Sequence, residues 1–474
     1  MKKFLCVMLV FSMVLLLFGC LNTSRAQTEP TTTQPATEPV PSTTEIPAWK
    51  PFEGSLEDYV YYYSGGQNRM WEEDLLYLAE IYLDEHALLT PEESLVNYRV
   101  GASAYDGYYT DEFYKPELRE AFLAEVNALI PKLEEMNNQE FVYALEKLLA
   151  LLHDAHAYII NTSDKEFFNV LVLREDEHYY ALGLPLKHKD LLYSELTAIN
   201  HIPLAEVIEM LRPYISYETE DYFLGHLTSP FYYSALFNAD LLQIVGVTES
   251  ERAEFTFLTE EGEKTVELEA QTVQQLTFSS RASSVFYDSP LFENLERNYW
   301  HEFMGNALYF RISNFEQETE KNMMQEGNEM LAEVKEKGGI EKIIVDLRQN
   351  GGGYQMLGYH ELVGVFRRIN PEKIYVLIDT GTFSQSVVFA TILKQDLDNV
   401  TLVGVPAGQA PNFFGKVERY TMPNTATEFS LAGSWWSTWE DYEYEALMPD
   451  VEVKQTLQDH KDNRDAVLQY VLQQ

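Results

Sequence analysis

Apolar and β-branched residues in the last third of the chain fall into short blocks, and helix-like segments separate the blocks. Ile343–Leu347, Ile374–Ile378 and Val400–Gly404 read as strands, with Tyr354–Ile369 and Ser384–Leu397 as helices between them. Strand–helix–strand alternation predicts a parallel sheet with crossover helices. Ala307–Ile312 adds a strand ahead of this unit, and Glu318–Lys337 a helix. After it, Val417–Thr421 and Glu428–Leu431 suggest a hairpin, and a last helix runs from about Asp462 to Leu472. Residues 50–160 carry a different period. Apolar positions there recur at helical spacing in Trp71–Leu78 and Leu118–Leu133, and again as Phe141, Leu145, Leu148, Leu149 and Leu152. Extending that last stripe by four residues reaches His156, which is predicted to face inward, whereas His153 lies off the stripe. Residues 166–285 are mixed, with β-like runs at Phe168–Leu173, Tyr179–Leu184, Glu254–Leu258 and Lys264–Leu268.

At 474 residues and 46% hydrophobic, the chain can bury a large core divided among two or three domains. Its formal net charge of −41 would repel nucleic acid and anionic lipid headgroups, so neither is an expected partner. The N-terminus supplies an address. Lys2-Lys3, the apolar run Phe4–Phe18 and then Gly19-Cys20 have the parts of a secretory signal. Gly19-Cys20 resembles the lipobox of bacterial lipoproteins, which implies cleavage after residue 19, lipidation of Cys20 and a place on the extracytoplasmic face of the cell membrane. Residues 20–49 are rich in Thr, Pro and Glu and nearly free of apolar side chains, so they read as a disordered tether. The only other cysteine, Cys6, falls within the signal. A processed chain would therefore hold no free thiol for a disulfide, a zinc thiolate or a cysteine nucleophile.

The loops beyond the C-terminal ends of parallel strands are where such sheets place their chemistry. Here they hold Gly351-Gly352-Gly353 and Ser384. Glycines let backbone N–H groups approach a ligand closely, and a serine opening a helix sits at the positive end of the helix dipole. Hydrogen-bond donors beside a hydroxyl are what acyl transfer requires. His178, His188 and His226 have no metal-ligand spacing, and neither a metal nor a cofactor is expected.

These residues resemble the C-terminal processing, or tail-specific, serine peptidases. The family's D-L-R-x-N-x-G-G turn is matched by Asp346–Gly353, its S-x-S segment by Ser384-Gln385-Ser386, and its V-G-x-P strand end by Val403–Pro406. Met448–Val453 is similar to the family's P-D-x-x-V ending. The resemblance implies an α/β fold, with a ClpP/crotonase-like parallel-sheet catalytic core over 300–474. The helical period of residues 50–160 reads as an N-terminal helical domain, and the resemblance implies a diverged PDZ-like β-rich insert over 166–285. In the insert, Glu195–Val207 is similar to part of a PDZ module, with His201 where the family usually has glycine.

The implied activity is cleavage of a peptide or protein substrate through an acyl-enzyme at Ser384. Many members use a lysine about 25 residues after the nucleophile, and Gln409 stands at that place, so a Ser–Lys dyad there is ruled out. Lys416, in Phe414-Gly415-Lys416, would serve only with an insertion. Val387 also replaces the glutamate that often follows the nucleophile. The tricorn-like branch instead pairs serine with histidine and a glutamate ahead of the terminal P-D. Those roles map onto Ser384, His156 and Glu443, with Glu440 and Glu445 as rivals for the acid. The oxyanion would be held by N–H groups of Gly352, its neighbours Gly351 and Gly353, and Gln385. A catalytically inactive relative that binds peptides or wall polymers is the alternative, suggested by Gln409, Val387 and the run Trp435-Trp436-Trp439.

Overall fold

The computed structural model describes residues 69–91, 113–160, 165–228, 234–353 and 359–474. The predicted signal, Cys20 and the tether lie outside the described residues, as does the start of the predicted helix Tyr354–Ile369. Among the described residues no helix is long and apolar enough to cross a membrane.

A six-stranded sheet organises the C-terminal part. Its order is Tyr299–Met304, Ala307–Ile312, Lys342–Asp346, Lys373–Ile378, Val400–Gly404 and Val451–Glu452. The first pair is an antiparallel hairpin, and every later pair is parallel. Alternation along each strand sends side chains to opposite faces. Phe310, Val345 and Val376 pack beneath the helices Met323–Lys337, Tyr359–Ile369 and Gln385–Asp396. Tyr309, Ile344 and Leu377 meet Val467, Leu468 and Val471 of the terminal helix Ala466–Gln473 on the other side. Burial on both faces explains why these strands read as blocks rather than as alternating patterns. Asn322 and Gln325 form a capping box at the start of Met323–Lys337, and Gly338, at φ 87°, ends that helix in the left-handed conformation.

The helices Arg69–Glu85, Pro116–Leu129 and Asn138–Ala150 pack around Leu78, Tyr82, Phe122, Val126, Leu145 and Leu149. Phe429 and Leu431 of the hairpin Asn412–Thr421/Glu428–Ser437 complete the same core. The short strand Ile159–Ile160 pairs with that hairpin's second arm. One expectation changes here. The helix carrying the apolar stripe ends at Ala150, so His156 is not its next member. His156 is nevertheless buried, because the chain turns at His153 (φ 49°) and runs back under the hairpin to Ile159.

The middle of the chain forms a seven-stranded antiparallel sheet. It runs Arg281–Ser283, His178–Pro185, Glu195–Ile199, Arg252–Thr259, Gly262–Glu269, with Leu171–Glu175 and Ile202–Pro203 paired off this path. The helices Leu204–Leu211 and Glu220–Thr228 share its apolar core. Asn200 and His201, at φ 46° and 64°, make the turn between Glu195–Ile199 and Ile202–Pro203. The backbone at His201 thus adopts the conformation that glycine favours.

Candidate active site

Strand ends and the turns after them build one side of the site. The strand Lys342–Asp346 ends at a buried ionic cluster. Arg348 donates to both oxygens of Asp346 and both of Asp465, and Tyr309 donates to Asp346 at 2.8 Å. Burial works against the Asp346 charge, but Arg348 outweighs it and holds the carboxyl below its ordinary value. Two residues on, Asn350 donates to the Ile312 carbonyl at 2.9 Å and accepts the Gly352 N–H at 2.9 Å. The D-L-R-x-N segment is therefore a brace that fixes where the glycine turn lies.

That turn abuts the nucleophile candidate. Gly352 has φ 102°, and a Cβ there would stand 2.8 Å from the Ser384 Cβ and 2.9 Å from the Gln385 nitrogen. Only glycine fits. Ser384 itself has φ 54° and ψ −121°, a conformation costing a non-glycine residue about 1–3 kcal/mol. Its surroundings enforce it. Phe383 N–H donates to the Asn350 carbonyl at 3.0 Å, and Ser384 N–H donates to Gln409 Oε1 at 3.0 Å. Ser384 stands at the N-cap position of Gln385–Asp396, yet its hydroxyl caps nothing. It is turned toward His156 instead, with Oγ 3.2 Å from Nε2.

His156 arrives from the other side, on the loop after Asn138–Ala150. Its ring lies 4.8 Å from Phe383 and is stacked on Phe413 at 5.9 Å. Its backbone is held at both ends: the N–H donates to Asp154 Oδ1 at 2.9 Å, and the carbonyl accepts from Ser430 Oγ at 2.6 Å. Asp154 Oδ2 lies 3.0 Å from His86 Nε2, whose Nδ1 accepts the Leu88 N–H at 3.3 Å. That acceptance leaves the His86 proton on Nε2, directed at Asp154. Burial would raise the Asp154 pKa, but the His156 and His86 rings beside it prevail and keep it well below the usual carboxylate range. Glu218 is the second acid. Burial first, and the charge of Asp154 next, push it well above its ordinary value, while Gln409 donates to its Oε1 at 2.6 Å. Asp154 Oδ1 and Glu218 Oε1 lie 3.7 and 3.9 Å from His156 Nδ1, too far for hydrogen bonds.

The structure thus brings Ser384, His156, Gln385 and the three glycines together and leaves Glu443 out. Glu443 is exposed and makes no hydrogen bond or ion pair among the described residues. The acids facing His156 Nδ1 are Asp154 and Glu218. Asp154 was open to detection, two residues before the histidine in Asp154-Ala155-His156. Glu218 had no such signal, because it lies 62 residues further on, in the part of the chain packed with the middle sheet. Gln409, at the expected lysine position, ties the backbone of Ser384 to Glu218. Lys416 is exposed on the cleft wall and makes no hydrogen bond to Ser384. Of the oxyanion candidates, Gly352 has its N–H committed to Asn350, whereas the N–H groups of Gly351, Gly353 and Gln385 have no partner among the described residues. Trp435 lies 4.8 Å from Phe414, Trp439 lies 5.0 Å from Tyr442, and Trp436 is largely buried with one edge on the wall of the cleft.

Ser384 and His156 open onto a cleft of about 1520 Å³ lined by all three parts of the chain, among them Tyr222, Gly351, Gly353 and Trp436. Neither a family model nor a curated protein sequence matches the chain. Solved structures do. Mature CPAF complexed with lactacystin is 14% identical and covers 85% of this chain and 97% of its own, with a TM-score of 0.56. Mature CPAF alone covers 85% and 95% at 14% identity and a TM-score of 0.54. This chain shares their fold. The photosystem II D1 C-terminal processing protease also matches, at 12% identity over 81% of this chain and 93% of that one, with a TM-score of 0.38.

Proposed function

We propose that the protein is a serine peptidase that cleaves peptide or protein chains through an acyl-enzyme at Ser384. The observation that carries this reading is the 3.2 Å approach of His156 Nε2 to a serine hydroxyl that is strained, uncapped and open to a cleft. In the reactive tautomer His156 holds its proton on Nδ1 and accepts the Ser384 proton at Nε2. The Ser384 Oγ–carbon bond forms as that proton leaves, and the oxyanion meets the N–H groups of Gln385 and of Gly351 or Gly353. The imidazolium returns its proton to the departing amine as the scissile C–N bond breaks. Water then attacks the acyl group, with His156 again as base. The ionised Asp154, 3.7 Å from Nδ1, stabilises the imidazolium through its field rather than through a hydrogen bond. This is a Ser/His arrangement of the tricorn-like kind, with Asp154 and Glu218 where Glu443 was expected.

The finer placement belongs to the same proposal. The six-stranded unit serves as a ClpP/crotonase-like core and the middle sheet as a PDZ-like insert that borders the cleft. Cys20 carries a lipid anchor on the extracytoplasmic face, with residues 20–49 as the tether. Cleavage of an unfolded protein by wild type and by Ser384→Ala tests the activity. Wild type cleaves and the variant, equally folded, does not; equal cleavage by both would move the chemistry elsewhere.

A further inference from the structure

On the side of the ring away from Ser384, His156 presents Nδ1 to two carboxylates from different parts of the chain. One donor atom each from Asp154, His156 and Glu218 lies within 4.8 Å of the other two. The imidazole is 6% exposed, and Nδ1 has no hydrogen-bond partner among the described residues. A buried ring nitrogen left without a partner is uncommon and calls for an explanation. Zinc ligands sit about 2.0–2.2 Å from the metal, which sets tetrahedral donors about 3.3 Å apart. Nδ1 lies 3.7 and 3.9 Å from the two oxygens, and all three donors fall within 4.8 Å of one another, so the edges to Nδ1 need to close by a few tenths of an ångström and the two carboxylates by no more than about 1.5 Å. The two carboxylates are already aimed. His86 holds the far oxygen of Asp154, as outer-shell partners of metal ligands commonly do, and Gln409 donates to the facing oxygen of Glu218, which has a second lone pair for a metal. One imidazole with two carboxylates mixes the nitrogen and oxygen donors that zinc accepts, whereas magnesium and calcium favour all-oxygen sites.

We propose that Asp154, His156 and Glu218 form a Zn²⁺ site that switches the peptidase off without touching Ser384. The inhibitory consequence rests on the peptidase reading; the site itself does not. Zinc on Nδ1 confines the ring proton to Nε2. Nε2 then donates to Ser384 Oγ and can no longer accept its proton. The glycine turn, Gln385 and the cleft are unchanged, so substrate still binds.

The test separates the two parts. Equilibrium dialysis of the full chain with zinc chloride, in wild type and in Ser384→Ala, should give one zinc per chain in both. Glu218→Gln, which keeps the size of the side chain, should weaken zinc binding about tenfold or more, and Asp154→Asn likewise. Melting curves confirm that each variant is folded. In the wild type, saturating zinc should lower kcat about a hundredfold at constant KM, a chelator should restore it, and magnesium at the same concentration should do nothing. No uptake by Ser384→Ala, wild-type affinity in both carboxylate variants, or a rise in turnover with zinc would overturn the proposal. Zinc uptake by a chain that cleaves nothing would uphold the site and sink the peptidase reading instead.

Discussion

Two buried acid clusters stand on opposite sides of the nucleophile, and they differ in how completely they are paired. Behind the glycine turn, Arg348 lies between Asp346 and Asp465 and meets every carboxylate oxygen there. Behind His156, Asp154 is satisfied by His86 and by a backbone N–H, but Glu218 is pushed toward its neutral form and His156 Nδ1 has no hydrogen-bond partner among the described residues. The first cluster is scaffold. Planar bidentate pairing gives it a fixed geometry and no spare capacity. The second leaves His156 Nδ1 uncommitted, so the ring can hold its proton there while Nε2 accepts and returns that of Ser384, which a general base requires and a brace does not. Incomplete satisfaction thus marks the chemical side of the site.

The contrast can be broken at several points. His156→Ala should cost on the order of 10⁴-fold or more in kcat, and the double variant with Ser384→Ala should cost little beyond either single one, because groups acting as a unit are not additive. Steady-state kinetics on the three proteins checks this; additive losses would separate the two residues. Arg348→Met attacks the paired cluster and should lower stability by about 3–5 kcal/mol, since it strands two buried carboxylates. Denaturant unfolding reads that loss, and a variant as stable as wild type would show that the cluster braces nothing. Asp154→Asn should lower kcat about a hundredfold, near 2.7 kcal/mol, with KM little changed. An equal fall in affinity would make Asp154 a binding residue rather than a positioning one. The smallest effect concerns pH. Glu218 has its folded pKa raised above 4.5, so it contributes stability that is present below that value and is lost as pH rises through the folded one. Asp154, held below 3.8, contributes with the opposite sign and loses stability only as pH falls further. Glu218→Gln should therefore flatten the decline of the wild-type melting temperature above pH 4.5, and an unchanged slope would mean that another group titrates there.

Much of this was legible in the sequence, though not evenly. Strands buried on both faces announce themselves as apolar blocks, and Val400–Gly404 and Ala307–Ile312 fall where the pattern puts them. The antiparallel strand Tyr299–Met304 was missed, because His301 and Glu302 interrupt its apolar run. Ser384 and the glycines were found because their chemistry depends on local backbone, in a strand–turn–helix unit that pattern reveals. His156 was placed inward for an imperfect reason, since the helix ends six residues before it. Motif order points to Glu443 for the supporting acid, which the fold leaves exposed. Asp154 faces the ring from two residues away, but Glu218 reaches it only because separate parts of the chain dock, and no spacing rule connects it to His156 or Ser384. The same holds for Gln409. Its place in the sequence showed only that it could not act as a base, and its grip on the Ser384 backbone emerged from the fold.

The rate of covalent labelling by a fluorophosphonate, with the modified peptide mapped, tests the Ser384–His156 pairing most directly. The expected result is a single adduct on Ser384 that forms at least about a thousandfold more slowly in His156→Gln and at the wild-type rate in Glu443→Gln. An adduct on another residue, or equal labelling of wild type and His156→Gln, would contradict it.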